Sequence, residues 1–131
     1  MNIVVAFVPS ALGEEVLRRG VVAAKQRGGR VVVVNSSRGD APIDERFAQR
    51  DALDRLRREL EASDIDFEIR QPVRGRNAEE EVLDIAEEVE AALVVIGLRR
   101  RSAVGKFIMG STAQKILLDA SCPVLAVKAP K

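Results

Sequence analysis

The residues best suited to chemistry stand together in one segment, Gly97-Leu98-Arg99-Arg100-Arg101-Ser102-Ala103-Val104-Gly105-Lys106-Phe107-Ile108-Met109-Gly110-Ser111-Thr112. A helical pattern opens at Gly110, Ser111 and Thr112 and runs to about Asp119. The first amides of a helix lack intrahelical acceptors, so together with a hydroxyl or two they can receive an oxyanion. Arg99, Arg100, Arg101 and Lys106 place positive charge nearby. The spacing fits a phosphate cradle. A plainer reading also stands: Ser and Thr are ordinary helix caps, and a run of arginines is an ordinary solvated loop. A Walker loop is excluded, because the Gly105-Lys106 pair would need Gly where Arg100 stands and Ser or Thr where Phe107 stands. No G-x-G-x-x-G occurs either.

Other chemistry finds less support. The chain has no His, which removes imidazole bases and His metal sites. Its one cysteine, Cys122, excludes an intrachain disulfide, and its place before Pro123 at the start of an apolar run suits a small packed side chain. Ser36 and Ser37 follow an apolar run and either face the crevice or serve as polar loop residues, and Asn35 beside them is placed to touch a base or ribose. Most carboxylates lie opposite the apolar stripes of helical segments, as solvated faces do. No hydrolytic centre emerges, and slow ATP hydrolysis is the only enzymatic alternative the anion cradle suggests.

These residues are positioned by a regular alternation. Apolar β-branched runs cover Ile3–Val8, Val31–Val34, Leu93–Ile96 and Val124–Val127, and a weaker alternating run covers Asp66–Gln71. Continuous Val/Ile runs are what strands buried on both faces require. Between them lie helical stripes: Val16, Leu17, Val21 and Ala24; Phe47, Leu53, Leu56 and Leu60; Ala78, Val82, Ile85, Ala86 and Val89; Ala113, Ile116, Leu117 and Ala120. Gly28-Gly29 stops the first helix, and Asn77 with Glu80 has capping-box spacing. The resulting βαβαβαβαβ order demands parallel strands, right-handed crossovers and helices on both sheet faces. Such sheets bind ligands at the strands' carboxyl ends, where the winding direction reverses. Arg38 to Asp44, with Gly39 and Pro42, reads as an exposed loop.

The composition agrees with one soluble domain spanning residues 1–131. Of the 131 residues 47% are hydrophobic, and 21 Lys+Arg nearly cancel 20 Asp+Glu. That balance offers no general attraction to nucleic acid or anionic membrane. No run of residues is long and apolar enough for a membrane span. The apolar start lacks a basic leader, so a cytoplasmic location is expected.

The chain resembles the universal stress protein family over essentially its whole length. The likeness is strongest from Val94-Val95-Ile96-Gly97 through Gly110-Ser111-Thr112-Ala113 to Cys122-Pro123-Val124-Leu125-Ala126-Val127. Nucleotide-binding members of that family carry G-x2-G-x9-G-[ST], and Gly97, Gly110 and Ser111 occupy the matching positions. The resemblance implies an open five-stranded parallel sheet of order 3-2-1-4-5, adenine nucleotide alpha hydrolase-like, with its crevice between the first and fourth strands. It also implies ATP or a related adenine nucleotide such as AMP, a stress-response role, and a homodimer joined through the last strand, Val124 to Lys128. Phosphates would rest on Gly97, Arg99, Arg100, Gly110, Ser111 and Thr112. The nucleoside would lie against Phe7, Val8, Pro9 and Ser10 and against Val34 and Asn35. Two positions depart from the family pattern: Arg100 replaces the second Gly, and Val8 stands where an Asp commonly helps hold the nucleoside. A lost hydrogen bond to a charged group is worth about 1.5–3 kcal/mol, so nucleoside selectivity should weaken. The alternative is a stress-protein dimer that binds no nucleotide and works through protein partners.

Overall fold

The computed structural model describes residues 1–37, 47–99 and 109–129. The expected loop from Arg38 to Asp44, and the site candidates Arg100, Arg101, Gly105 and Lys106, lie outside the described residues. The elements are β1 (Asn2–Ala6), α1 (Ala11–Arg27), β2 (Arg30–Val34), α2 (Arg50–Ala62), β3 (Phe67–Arg70), α3 (Ala78–Glu88), β4 (Leu93–Leu98), α4 (Ser111–Asp119) and β5 (Val124–Lys128). All strand pairings are parallel, in the order β3-β2-β1-β4-β5. The strand order expected from the family resemblance is therefore the one observed.

Parallel strands need crossovers, and the crossover helices cover both faces. On one face Ile3, Val5, Val31, Val33 and Val95 pack with Leu17 of α1 and with Leu56 and Leu60 of α2. On the other, Val4, Val32, Val94 and Ile96 pack with Val82 and Ile85 of α3 and Ile116 of α4. This accounts for the unbroken Val/Ile runs of β1, β2 and β4: successive side chains alternate between two dry layers. Edge strand β3 is only half-buried along its length, and it shows the corresponding alternation of polar and apolar residues.

Several helix boundaries follow from local signals. Gly28 ends α1 in the left-handed region, at φ 65°, where a residue without Cβ pays no steric penalty. Asn77 and Glu80 form the expected capping box, with the Asn77 amide donating to Glu80 Oε1 at 3.1 Å. Two boundaries differ from the sequence pattern. The run Ile3–Val8 yields a strand that stops at Ala6, because Pro9 and Ser10 turn the chain into α1, which leaves Val8 37% exposed. Phe47 precedes α2 rather than striping it, since that helix begins only at Arg50.

Candidate functional site

The winding reverses between β1 and β4. From β1 the chain builds outward to β2 and β3, then returns to the other side of β1 for β4 and β5. Ile3, Val4 and Val5 pair with Leu93, Val94 and Val95, so the loops leaving β1 and β4 open side by side at the carboxyl end. This is the position at which open α/β sheets form a ligand crevice.

The β1 side is tightly built. Ser10 caps α1, its hydroxyl oxygen accepting from the Gly13 amide at 3.0 Å. The loop folds down so closely that a Cβ on Gly13 would lie 1.6 Å from the Val8 carbonyl oxygen. Phe7 is buried and its amide donates to Val34 O at 3.0 Å. Val8 faces outward and Pro9 is half-buried. Asn35, only 1% exposed, donates from Nδ2 to Phe7 O at 2.9 Å. Its Oδ1 accepts from the Ala48 amide at 2.7 Å and from Gln71 Nε2 at 3.1 Å. The Asn35 amide therefore bolts together the ends of β1 and β2, the approach to α2 and the chain after β3. Its side chain orders this corner from within.

The β4 side ends in a helix terminus. Gly110 is the N-cap of α4 and supplies no side-chain cap. The first intrahelical bond runs from the Gln114 amide to Gly110 O at 3.0 Å, so the amides of Ser111, Thr112 and Ala113 precede it. Gly110 has an ordinary φ of −72°, and a Cβ there would meet nothing among the described residues within 4 Å. The described residues give no reason within the fold for glycine at this position. Gly97 differs: a Cβ there would come within 2.9 Å of the Leu12 side chain and 3.0 Å of Val16, so its absence lets α1 close on β4. Arg99 and Ser111 are exposed. Thr112 is half-buried and its hydroxyl donates to Glu79 Oε2 of α3 at 3.2 Å.

The model of the Universal stress protein family matches residues 1–128. The chain belongs to the universal stress protein family. It is 42% identical to a universal stress protein of Mycolicibacterium smegmatis over 126 residues, 96% of each chain. Among solved structures it is similar to a universal stress protein from Archaeoglobus fulgidus, with 34% identity, a TM-score of 0.83 and 98% of each chain covered. It is similar also to the universal stress protein from Archaeoglobus fulgidus in complex with dAMP, with 30% identity, a TM-score of 0.75 and 98% of each chain covered.

The fold places Gly97 and Arg99 at the end of β4 and Gly110, Ser111 and Thr112 at the start of α4, with Phe7, Val8, Pro9 and Ser10 between β1 and α1 and Val34 and Asn35 at the end of β2. Two acidic residues here escaped the sequence reading. Glu79 meets Thr112 only because α3 and α4 lie side by side, and no spacing signals that. Glu81 is 1% exposed, and it did leave a signal: it falls three residues after Ala78 and four before Ile85, on the apolar stripe. Its Oε2 accepts from Arg74 Nη2 at 2.9 Å, and its Oε1 forms an ion pair with Arg76 Nη1 at 3.0 Å. This buried carboxylate staples the β3–α3 loop.

Elsewhere, a hollow of about 430 Å³ lies between α1 and α2, lined by Glu14, Leu17, Val21, Glu59 and Leu60 among others. Burial, and then the neighbouring charge of Glu59, raise the Glu14 carboxyl above its ordinary value, while Arg55 lowers it. Burial likewise raises the Cys122 thiol. That disfavours the thiolate a nucleophile needs. Among the described residues no helix is long and apolar enough to cross a membrane.

Proposed function

We propose that this chain is a cytoplasmic stress-response module, one domain over residues 1–131, that works by binding an adenine nucleotide such as ATP or AMP. Phosphate oxygens rest on the amides of Ser111, Thr112 and Ala113 and on the Ser111 hydroxyl, with Gly97, Arg99 and Arg100 alongside. The nucleoside extends toward Phe7, Val8, Pro9 and Ser10 and toward Val34 and Asn35. The observation that carries this reading is Gly110: neither its backbone angles nor its neighbours among the described residues call for glycine, whereas a phosphate lying against that backbone would. The dAMP complex of a 30% identical family member supports it. The module acts by occupancy rather than turnover, and no hydrolytic step is assigned. Acid extraction of the purified protein followed by chromatography, together with calorimetry using AMP, ADP and ATP, tests the reading. Recovery of adenine nucleotide or measurable binding is expected. An empty extract with no heat at millimolar ligand refutes it.

The same reading includes a homodimer. β5 pairs with β4 on one side, carries no charge from Val124 to Val127, and leaves Leu125 40% exposed. An apolar edge of this kind favours pairing with an identical edge across a twofold axis. A second reading, a dimer that works through protein partners without nucleotide, is favoured by two observations: the Val8 side chain has no polar group, and Asn35 spends its amide on the protein. Val8→Asp combined with Arg100→Gly discriminates. Nucleotide binding seen only in that double variant would support the second reading.

A further inference from the structure

Two helices open side by side at the carboxyl end of the sheet, and their first turns are furnished differently. The terminus of α3 is served by its own residues: the capping box of Asn77 and Glu80, and the acidic Glu79, Glu80 and Glu81 in its first turn. The first turn of α4 has no acidic residue and no side-chain cap. The carboxylate that reaches it comes from its neighbour, through the Thr112–Glu79 contact at 3.2 Å. The charge of Glu79 is also felt further along α4. Asp119 is the main reason the Lys115 ammonium is held above its ordinary value, and Glu79 and Glu80 add to it.

This contact has two consequences for an anion at α4. A hydroxyl has a single proton, so Thr112 cannot donate to a phosphate while it donates to Glu79. Any further negative charge brought to the same turn meets a fixed carboxylate. Building on the nucleotide reading above, we propose that Glu79 is a specificity-determining residue that limits how much negative charge the α4 terminus accepts. It favours a nucleoside monophosphate over the metal-free triphosphate. A divalent cation on the triphosphate neutralises part of that charge and relieves the penalty.

Calorimetric titration of the full chain with AMP and with ATP, each in EDTA and in excess Mg²⁺, tests the assignment. The variants are Glu79→Gln, Glu79→Asp and Glu87→Gln. Gln keeps an oxygen for the Thr112 hydroxyl, Asp keeps the charge, and Glu87 carries the same charge at the far end of α3. Glu79→Gln is expected to tighten metal-free ATP about five- to tenfold and AMP less than about threefold, as loss of one close, partly solvated repulsion would. Mg²⁺ shrinks the difference, Glu79→Asp stays near the wild-type ATP-to-AMP ratio, and Glu87→Gln moves neither ligand. An unchanged ratio in Glu79→Gln overturns the assignment while leaving the nucleotide reading intact. An equal shift in Glu87→Gln also overturns it, by reducing the effect to net charge. If neither wild type nor Glu79→Gln binds any nucleotide, both readings fall together.

Discussion

Gly13→Ala adds one methyl group at the point where the β1–α1 loop lies closest to its helix. The new Cβ would sit 1.6 Å from Val8 O and 2.8 Å from Val8 C, both backbone atoms, whereas ordinary contacts begin near 3.4 Å. No rotamer change relieves this, so the Val8 carbonyl must retreat by roughly 1.8 Å, the shortfall from ordinary contact. That movement strains the 3.0 Å bond from the Gly13 amide to Ser10 Oγ, and losing a cap costs about 1 kcal/mol. Overpacking adds about 1–3 kcal/mol, and the better helix propensity of Ala returns at most about 1 kcal/mol. A net loss near 2 kcal/mol follows, which moves a urea midpoint by about 1 M at the slope usual for small proteins. Gly110→Ala is the paired control. With nothing among the described residues within 4 Å of its Cβ, it should stay within about 0.5 kcal/mol of wild type, yet weaken the proposed nucleotide binding. Urea melts of both variants read the result. A Gly13→Ala protein as stable as wild type would refute this account of the loop, and a Gly110→Ala protein destabilised like Gly13→Ala would refute the assignment of open space at Gly110.

Three further outcomes are expected. Replacing both Arg74 and Arg76 by Met strands the buried Glu81 and should cost about 1–3 kcal/mol, the range for a buried polar group left without its partners; Glu81→Gln should cost less, and urea melts rank the two. Glu14→Gln should stabilise the protein slightly at neutral pH and not at pH 4. The folded carboxyl titrates above the ordinary 4.5, so its contribution is fully present below that value and is lost as pH rises through the raised one; a gain that persists at pH 4 would contradict this. If the proposed dimer pairs through β5, Leu125→Lys should convert it to a single-chain mass by light scattering at micromolar concentration, since a charge on an edge strand opposes pairing.

The elements were legible where local chemistry decides them. Val31 to Val34 could only be a strand buried on both faces, and Gly28, Asn77 and Glu80 marked helix ends that the structure keeps. The strand order was not in the periodicity, because the same run of strands and helices fits several windings; it came from the family resemblance. Val8 was counted in β1 because apolarity continues past Ala6, while the end of the strand is set by Pro9 and the Ser10 cap. In the candidate site, sequence named candidate residues but not the contacts those residues make within the fold. Asn35 looked free to meet a ligand, and its amide instead joins Phe7, Ala48 and Gln71. Gly97 looked like a phosphate contact, and the fold also needs it for packing Leu12 and Val16. Such contacts depend on side chains brought together from distant parts of the chain.

The sheet is assembled from two chain segments that meet at one seam. Residues 2–70 hold β1, β2 and β3, residues 93–128 hold β4 and β5, and the register that unites them pairs Ile3 with Leu93. That pairing spans roughly 90 residues, against roughly 28 for β1 with β2, so closing it costs about 1 kcal/mol more in chain entropy. The residues proposed for the site lie on both sides of this seam, Phe7 to Ser10 from one segment and Gly110 to Thr112 from the other. Neither segment alone contains both groups, so affinity for the proposed nucleotide would double as a report that the two halves of the chain have joined.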